Sequence, residues 1–178
     1  QVESLAASGA DIATATLEYL DGTGARLPVQ PRQPATGDLV SAALAAAHHP
    51  LVQASVFRSS AIRDCPWPED SRLFDDYIWL LRLATHREHS WIRSSEPVAC
   101  YFHHDGSRLS RVRRSRDNAG QVIEAILASC TSLENSGRMT TERRHAAATA
   151  LLDFSHSTFP AAPIYLSRTI IKARQMAP

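Results

Sequence analysis

Two adjacent carboxylates, Asp75 and Asp76, are the side chains of this sequence best suited to chemistry. They interrupt an otherwise apolar, helix-forming run, Arg72-Leu73-Phe74-Asp75-Asp76-Tyr77-Ile78-Trp79-Leu80-Leu81-Arg82-Leu83-Ala84. Carboxylates in the first turn of a helix are stabilised by its exposed N–H groups and macrodipole, by roughly 0.3 to 1 kcal/mol. One carboxylate suffices for that capping role, whereas two neighbouring carboxylates are a usual way to make a general base. The pair alone leaves both interpretations open.

Two further groups of side chains could bind ligands. His86 and His89 have a helical spacing, but no Glu completes an HExxH motif and the cysteines are distant, so solvated histidines at a helix end are favoured over a zinc site. A basic cluster could contact phosphates or an anionic membrane surface, although such a run is more often a solvated face. This cluster comprises Arg108, Arg111, Arg113, Arg114 and Arg116.

The composition limits the classes of protein that remain. With 178 residues, 44% of them hydrophobic and 21% charged, the chain predicts one globular unit, and its net charge of +1 offers no overall attraction for nucleic acid. Cys65, Cys100 and Cys130 suggest no disulfide framework, which favours a reducing, cytoplasmic setting. No signal peptide or membrane span is evident. Because the chain begins at Gln1 without an initiator Met, we expect an internal or C-terminal piece of a longer protein.

Hydrophobic periodicity predicts strands and helices up to about Ser110 and helices alone beyond it. The predicted strands lie at residues 11–19, 52–57, 91–93 and 98–103. The predicted helices lie at residues 1–8, 38–47, 73–86, 115–130, 141–156 and 163–175. Gly9, Asp38, Thr140 and Pro163 are typical of helix boundaries. A turn is expected at residues 58–62. A proline-rich loop is expected at 28–37.

The order of these motifs resembles the second half of family 2 glycosyltransferases, which have the GT-A fold. A strand ending in Phe57-Arg58 and a Trp67-Pro68-Glu69 turn precede the acidic pair, and Tyr101-Phe102-His103-His104-Asp105-Gly106-Ser107-Arg108-Leu109-Ser110 follows it. Members of that family have an acidic pair, an aromatic residue and Trp-Leu-x-Arg-Leu-Ala, then Tyr-Arg-x-His-x-Gly-Ser-x-Ser. The resemblance covers roughly residues 1 to 112.

The resemblance implies an α/β fold with a partial GT-A-like mixed sheet and flanking helices. Residues 1–112 would form the acceptor-side half of the catalytic domain, and residues 113–178 a helical C-terminal extension. The implied reaction is the inverting transfer of a single sugar from a nucleotide-sugar donor to an acceptor hydroxyl, in bacterial-type synthesis of cell-surface polysaccharide or glycoconjugate. The acceptor could be a glycan, a lipid-linked molecule or a small molecule, and peripheral contact with the inner face of the membrane is compatible with it.

The same resemblance assigns roles to particular residues. Asp76 matches the catalytic base and Asp75 the acidic position before it. His104 would lie near the divalent cation, Mn²⁺ or Mg²⁺, or near the diphosphate that the cation steadies. Arg108 and Arg111 follow this motif and would contact the diphosphate or a polyprenyl phosphate.

Several departures from the family pattern limit these expectations. Asp75 replaces a Glu and Phe102 an Arg, and the absence of Gln-x-x-Arg-Trp favours transfer of single sugars. The nucleotide-binding half and the Asp-x-Asp metal motif are missing, so the fragment alone is expected to be inactive. The alternative is a non-enzymatic helical interaction or regulatory module, in which the acidic pair caps a helix and the basic cluster binds a partner.

Overall fold

The computed structural model describes residues 1–28, 37–45, 52–69, 74–103, 116–158 and 163–176. Three strands and seven helices lie in these ranges, together with a 3₁₀ turn at Val52–Ala54. In chain order they are α1 (Val2–Ser8), β1 (Ile12–Leu20), α2 (Leu39–Ala45), β2 (Ser55–Phe57), α3 (Ser59–Ile62), α4 (Asp75–His86), β3 (Trp91–Phe102), α5 (Arg116–Asn135), α6 (Thr141–Thr158) and α7 (Pro163–Met176).

The strands form a mixed sheet in the order β2-β1-β3. β1 is antiparallel to β2 and parallel to β3, with Ile12 opposite Trp91 and Leu20 opposite Phe102. The first four residues of β1 are buried, because this strand lies between its two neighbours and beneath flanking helices. The predicted α/β class is therefore confirmed at the level of a mixed α/β fold.

β3 is one continuous strand, so the prediction of two short strands separated before Val98 is wrong. The pairing of β1 with β3 shifts register on both sides of Thr16, which lies opposite Pro97. Proline has no N–H for the ladder, and a local irregularity of this kind accommodates it. The Thr16 hydroxyl donates a hydrogen bond to the Ser95 carbonyl (3.0 Å) within the irregular stretch. The strand therefore continues past a residue that normally interrupts one.

The strand predicted at residues 52–57 is also too long, since only Ser55–Phe57 is extended. The Ala54 carbonyl accepts a hydrogen bond from Gln1 Nε2 (2.7 Å) and lies at the end of the 3₁₀ turn. Pairing with β1 consequently begins at Ser55, opposite Thr14. The turn predicted after this strand is the short helix α3.

The predicted helices are present, with boundaries that follow their local signals. Gly9 ends α1 with φ 70°, in the left-handed region that glycine adopts without strain. Asp38 caps α2 by accepting the Ser41 N–H (2.9 Å), and the Thr140 hydroxyl accepts the Arg143 N–H (3.2 Å) at the start of α6. α5 runs to Asn135, five residues beyond the predicted end. Most of the predicted loop at 28–37, and the predicted domain boundary at 112/113, lie outside the described residues.

Helix α4 lies at the centre of the main hydrophobic core and is apolar on most of its circumference. Eight of its residues are buried, from Tyr77 to Leu81 and from Leu83 to Thr85. Helices α2 and α5 pack against it, α6 packs against α2 and α5, and α7 packs against α6. Each fully buried leucine or isoleucine stabilises the fold by roughly 1.5–3 kcal/mol. The fully buried core side chains include Leu44, Leu81, Leu83, Ile123, Ile126, Leu133, Leu151 and Leu166. None of the described helices is long and apolar enough to cross a membrane.

A buried arginine joins three distant parts of the chain. The guanidinium of Arg143 on α6 binds both carboxylate oxygens of Asp38 (2.8 and 3.0 Å) and both of Glu88 (2.8 and 2.9 Å). Its fifth contact is the Arg138 carbonyl (2.8 Å), so its donors are fully used. Bidentate pairs of this kind are strong and directional. They hold the start of α2 and the segment after α4 against α6.

This network predicts that acid destabilises the protein. Burial opposes ionisation of Asp38, but hydrogen bonds from Arg143 and Ser41 outweigh it and lower the pKa of Asp38 to about 2. Hydrogen bonds from Arg143 outweigh desolvation at Glu88 and lower its pKa to about 2. Unfolded Asp and Glu titrate near ~3.9 and ~4.3, so the stabilisation is complete above about pH 5 and is lost as the pH falls towards 2. Urea unfolding between pH 7 and pH 2.5 measures this loss.

The same experiment on variants assigns the effect to the network. Arg143→Met removes the guanidinium that binds Asp38 and Glu88, and is expected to lower the free energy of unfolding at pH 7 by about 3 kcal/mol. Asp38→Asn keeps a capping side chain but should flatten the acid dependence, since Asn does not ionise. Glu134→Gln is the control, because the Glu134–Arg144 pair is exposed and such pairs contribute about 0–1 kcal/mol. An acid dependence unchanged in Asp38→Asn would contradict this assignment.

Candidate functional site

The acidic pair lies where α4 begins, directly after a residue with unusual backbone geometry. Phe74 has φ 60° and ψ 22°, the only positive φ of a residue other than glycine among the described residues. A bulky residue in this conformation costs of order 1–3 kcal/mol and persists only where its surroundings impose it. The Phe74 ring packs edge-on against Phe154 of α6, with ring centroids 5.7 Å apart. The chain thus turns abruptly into α4, and Asp75 and Asp76 occupy its first turn as predicted.

Asp75 is paired with an exposed indole. The Trp67 Nε1–H donates a hydrogen bond to Asp75 Oδ2 (3.3 Å), and the Trp67 side chain is 45% exposed. Within the described part of the chain, the Asp75 side chain accepts no hydrogen bond from a helix N–H. Asp75 therefore acts as a partner of Trp67 rather than as a helix cap.

Asp76 accepts a hydrogen bond from the helix itself. Its Oδ1 accepts the N–H of Tyr77 (2.7 Å), so this side chain satisfies one of the free donors of the first turn. The Asp76 side chain is only partly buried, and its second oxygen has no hydrogen-bond partner among the residues that the structure describes. One oxygen is thus oriented by the helix, and the side chain keeps part of its surface exposed.

An aromatic cluster beneath the acidic pair fixes the segment that carries it. The Trp79 ring lies 5.1 Å from Phe57 of β2 and 5.2 Å from Trp67. The Trp79 Nε1–H donates to the Cys65 carbonyl (2.9 Å) in the loop before α4. The end of β2, this loop and the first turn of α4 are therefore joined by ring packing and one buried hydrogen bond. Such packing on regular elements is what holds a functional side chain in a single orientation.

The structure does not describe the other residues to which the sequence assigns a role in the site. His104, Arg108 and Arg111 all lie outside the described residues. Within the described ranges, no three His, Cys, Asp or Glu side chains lie close enough to hold a metal ion together. The assigned roles of these three residues, and the divalent cation, remain predictions.

The expectation of solvated histidines is right for His86 and wrong for His89. The His86 side chain is exposed at the end of α4. The His89 side chain is buried, and its Nε2 lies 3.0 Å from the Leu83 carbonyl. Desolvation, with a smaller effect of Arg87, lowers the pKa of His89. The sequence contains no signal for this burial, because it results from the fold of the turn after α4 against β1.

A second cluster of aromatic side chains is not evident from the sequence. Tyr19, Tyr101 and His103 lie together at the carboxyl ends of β1 and β3, with ring centroids 5.3 to 5.7 Å apart. Burial, and then the neighbouring Tyr101, raise the pKa of Tyr19. Ligands of open α/β sheets bind beyond the carboxyl ends of parallel strands. Only the register of β1 against β3 brings these rings into contact.

The chain defines a mixed α/β protein in which two carboxylates project from the first turn of a buried helix beside an exposed indole. A comparison with protein families finds none that matches the chain, and a comparison with curated proteins finds no match either.

The two tryptophans of the aromatic cluster should respond differently to substitution. Trp79→Phe leaves the buried Cys65 carbonyl without its donor and opens space beside Phe57, so we expect the free energy of unfolding to fall by about 1–3 kcal/mol. Trp67→Phe removes a longer, exposed hydrogen bond and should change it by about 0.5 kcal/mol. Urea unfolding followed by far-ultraviolet circular dichroism measures both. Equal losses in the two variants would show that Trp79 has no special structural role.

Proposed function

We propose that this chain is the acceptor-side part of an inverting glycosyltransferase of the family 2 type, and that its sheet is part of a GT-A-like fold. The observation that carries the proposal is the acidic pair at the start of α4, with one carboxylate held by Trp67 and the other partly open to solvent. The mixed sheet, in which β1 is parallel to β3 and antiparallel to β2, is compatible with this fold.

In this proposal Asp76 is the catalytic base. The Tyr77 N–H orients one of its oxygens, and the other accepts the proton of the acceptor hydroxyl. The deprotonated oxygen attacks the anomeric carbon of the donor from the face opposite the nucleoside diphosphate. The new glycosidic bond forms as the bond to the diphosphate breaks, so the configuration at that carbon is inverted. A divalent cation bound to the diphosphate would neutralise the charge of the leaving group.

Asp75 and Trp67 are positioning residues for the acceptor. The hydrogen bond between them keeps the indole at a fixed angle beside the acidic pair, and the exposed ring offers a flat apolar surface. Sugar rings present C–H groups on one face, and aromatic side chains provide rigid contact area at low entropic cost. The arrangement would place an acceptor hydroxyl within reach of Asp76.

The donor side of the reaction is proposed to involve residues that the structure does not describe. His104 would lie at the cation or diphosphate, and Arg108 and Arg111 would contact the diphosphate or a lipid-linked phosphate. The nucleotide and most ligands of the cation would come from residues outside this chain. The chain by itself is therefore expected to transfer no sugar.

The proposal predicts a specific effect of Asp76→Asn in the natural protein that contains this chain. Turnover of a nucleotide sugar should fall by about 10²–10⁴-fold, because the amide keeps the shape of the side chain but accepts no proton. Donor binding, measured by calorimetry, should change little. Asp75→Asn is the matched control and should reduce turnover less, mainly through KM for the acceptor. Undiminished turnover in Asp76→Asn would remove Asp76 from the mechanism.

The second candidate is a non-enzymatic interaction or regulatory module, and the hydrogen bond from the Tyr77 N–H to Asp76 favours it. In that case the only role of the Asp76 side chain is to accept the Tyr77 N–H at the start of α4. Asp76→Ala would lower the free energy of unfolding by about 1 kcal/mol, as loss of a cap does, and no nucleotide sugar would be turned over.

A further inference from the structure

The strained backbone of Phe74 lies between the two residues that form the exposed part of the candidate site. Trp67 precedes Phe74 in the chain and Asp75 follows it directly, and the Trp67 Nε1–H donates a hydrogen bond to Asp75 Oδ2 (3.3 Å). Rotation about the φ and ψ bonds of Phe74 turns the chain before it relative to α4. The φ of 60° and ψ of 22° at Phe74 therefore help to bring the indole to the carboxylate.

The same residue also begins the hydrogen-bond ladder of α4. The Phe74 carbonyl accepts the N–H of Ile78 (2.8 Å), which is the first bond of the helix. The Tyr77 N–H, within this first turn, is donated to Asp76 Oδ1 (2.7 Å). A different backbone conformation at Phe74 would change this turn, and with it the orientation of Asp76.

A phenylalanine keeps a left-handed backbone only where its surroundings impose it. Positive φ values are rare for residues with a bulky side chain, because Cβ then comes too close to the backbone. Conformations of this kind are concentrated at functional sites, where packing elsewhere in the molecule maintains them. The Phe74 ring packs against the main hydrophobic core, so the packing of this ring can maintain the backbone.

A buried ring of α6 provides a fixed surface for that packing. Phe154 is only 2% exposed, and its ring meets the Phe74 ring edge-on, with centroids 5.7 Å apart and an interplanar angle of 74°. Aromatic rings attract each other in this arrangement beyond the effect of burial. Helix α6 is itself held near its start by Arg143, which binds Asp38 and Glu88. Phe154 is thus attached to a helix that has little freedom to move.

We infer that Phe154 is a positioning residue of the candidate site. It keeps Phe74 in the left-handed conformation, and this conformation keeps Trp67 and the acidic pair in their relative positions. Helix α6 lies beyond the residues that resemble a glycosyltransferase, and the inference gives it a part in the site. The effect of Phe154 on sugar transfer rests on the proposed function, whereas its effect on the contact between Trp67 and Asp75 does not.

NMR of the isotope-labelled chain tests this arrangement without any reaction. The indole N–H signal of Trp67, assigned with Trp67→Phe, reports the hydrogen bond to Asp75, and the Tyr77 amide signal reports the bond to Asp76. Phe154→Ala should shift both signals. Unchanged signals in this variant, with the fold intact by circular dichroism, would overturn the inference.

Two further variants separate a specific effect from a general loss of packing. Leu133→Ala is the matched control, because it removes a fully buried side chain from the end of α5, next to the segment in which Arg138 binds the last turn of α4. It should leave the Trp67 and Tyr77 signals in place, and equal shifts in both alanine variants would contradict the inference. Phe154→Leu keeps most of the buried volume and is used if Phe154→Ala does not fold. It should shift the same two signals by a smaller amount, and no shift would again contradict the inference.

Substitutions of Phe74 itself distinguish its backbone from its ring. Phe74→Gly and Phe74→Ala both remove the ring, but only glycine adopts a positive φ without strain. We therefore expect a smaller shift of the Trp67 indole signal in Phe74→Gly than in Phe74→Ala. Phe74→Gly added to Phe154→Ala should move the signal back towards its original position. Equal shifts in the glycine and alanine variants would show that Phe154 does not act through the left-handed backbone.

The natural protein that contains this chain gives a kinetic readout of the same role. Phe154→Ala should reduce turnover of a nucleotide sugar about 10–100-fold and raise KM for the acceptor, because a small displacement of a reacting group has a cost of this order. Donor binding, measured by calorimetry, should stay unchanged. Phe74→Gly in the Phe154→Ala background should recover part of the turnover, which a merely structural role of Phe154 would not produce.

The two proposals can fail separately. If Asp76→Asn retains full turnover while Phe154→Ala still shifts the Trp67 signal, the catalytic role of Asp76 fails and the link from α6 to the acidic pair remains. If Asp76→Asn abolishes turnover while Phe154→Ala changes neither the Trp67 signal nor turnover, Phe154 is not a positioning residue and the catalytic proposal remains.

Discussion

The bidentate contacts of Arg143 are the interaction on which the arrangement of the helices depends. One buried guanidinium uses all its donors on Asp38, Glu88 and a backbone carbonyl, and its two carboxylate partners lie 105 and 55 residues away along the chain. Replacing a buried ion pair by apolar residues is often neutral, but removing one partner leaves an uncompensated buried charge. The network therefore contributes most by excluding other arrangements of α2, α4 and α6.

Helix α6 holds α4 at both of its ends. Near the start of α6, Arg143 binds Glu88, just beyond the last turn of α4. Eleven residues later, Phe154 packs against Phe74 and maintains the left-handed backbone that precedes the acidic pair. Arg138 adds a hydrogen bond to the Thr85 carbonyl (2.8 Å), which satisfies an otherwise free acceptor at the end of α4. A helix held in this way presents its first turn in one orientation.

Much of the secondary structure could be predicted because its signals are local. Gly9, Asp38 and Thr140 act through their own backbone or through an N–H three residues away, so short stretches of sequence contain the necessary information. The position of the acidic pair in the first turn of α4 follows from the apolar run that comes after it. The extent of β2 and the continuity of β3 could not be predicted, since both depend on pairing with β1. β2 pairs with β1 only from Ser55 onwards, and the register shifts around Thr16 of β1 accommodate Pro97 of β3.

The sequence by itself determined the mixed class of the fold, the start of α4 and the two carboxylates that this start carries. Tertiary structure alone decided the contact of an indole with Asp75, the strained backbone of Phe74 and the burial of His89. Each of these depends on contacts between residues far apart in the chain. A sequence pattern reports the residues at one face of an element, but not which distant side chain comes to lie against it.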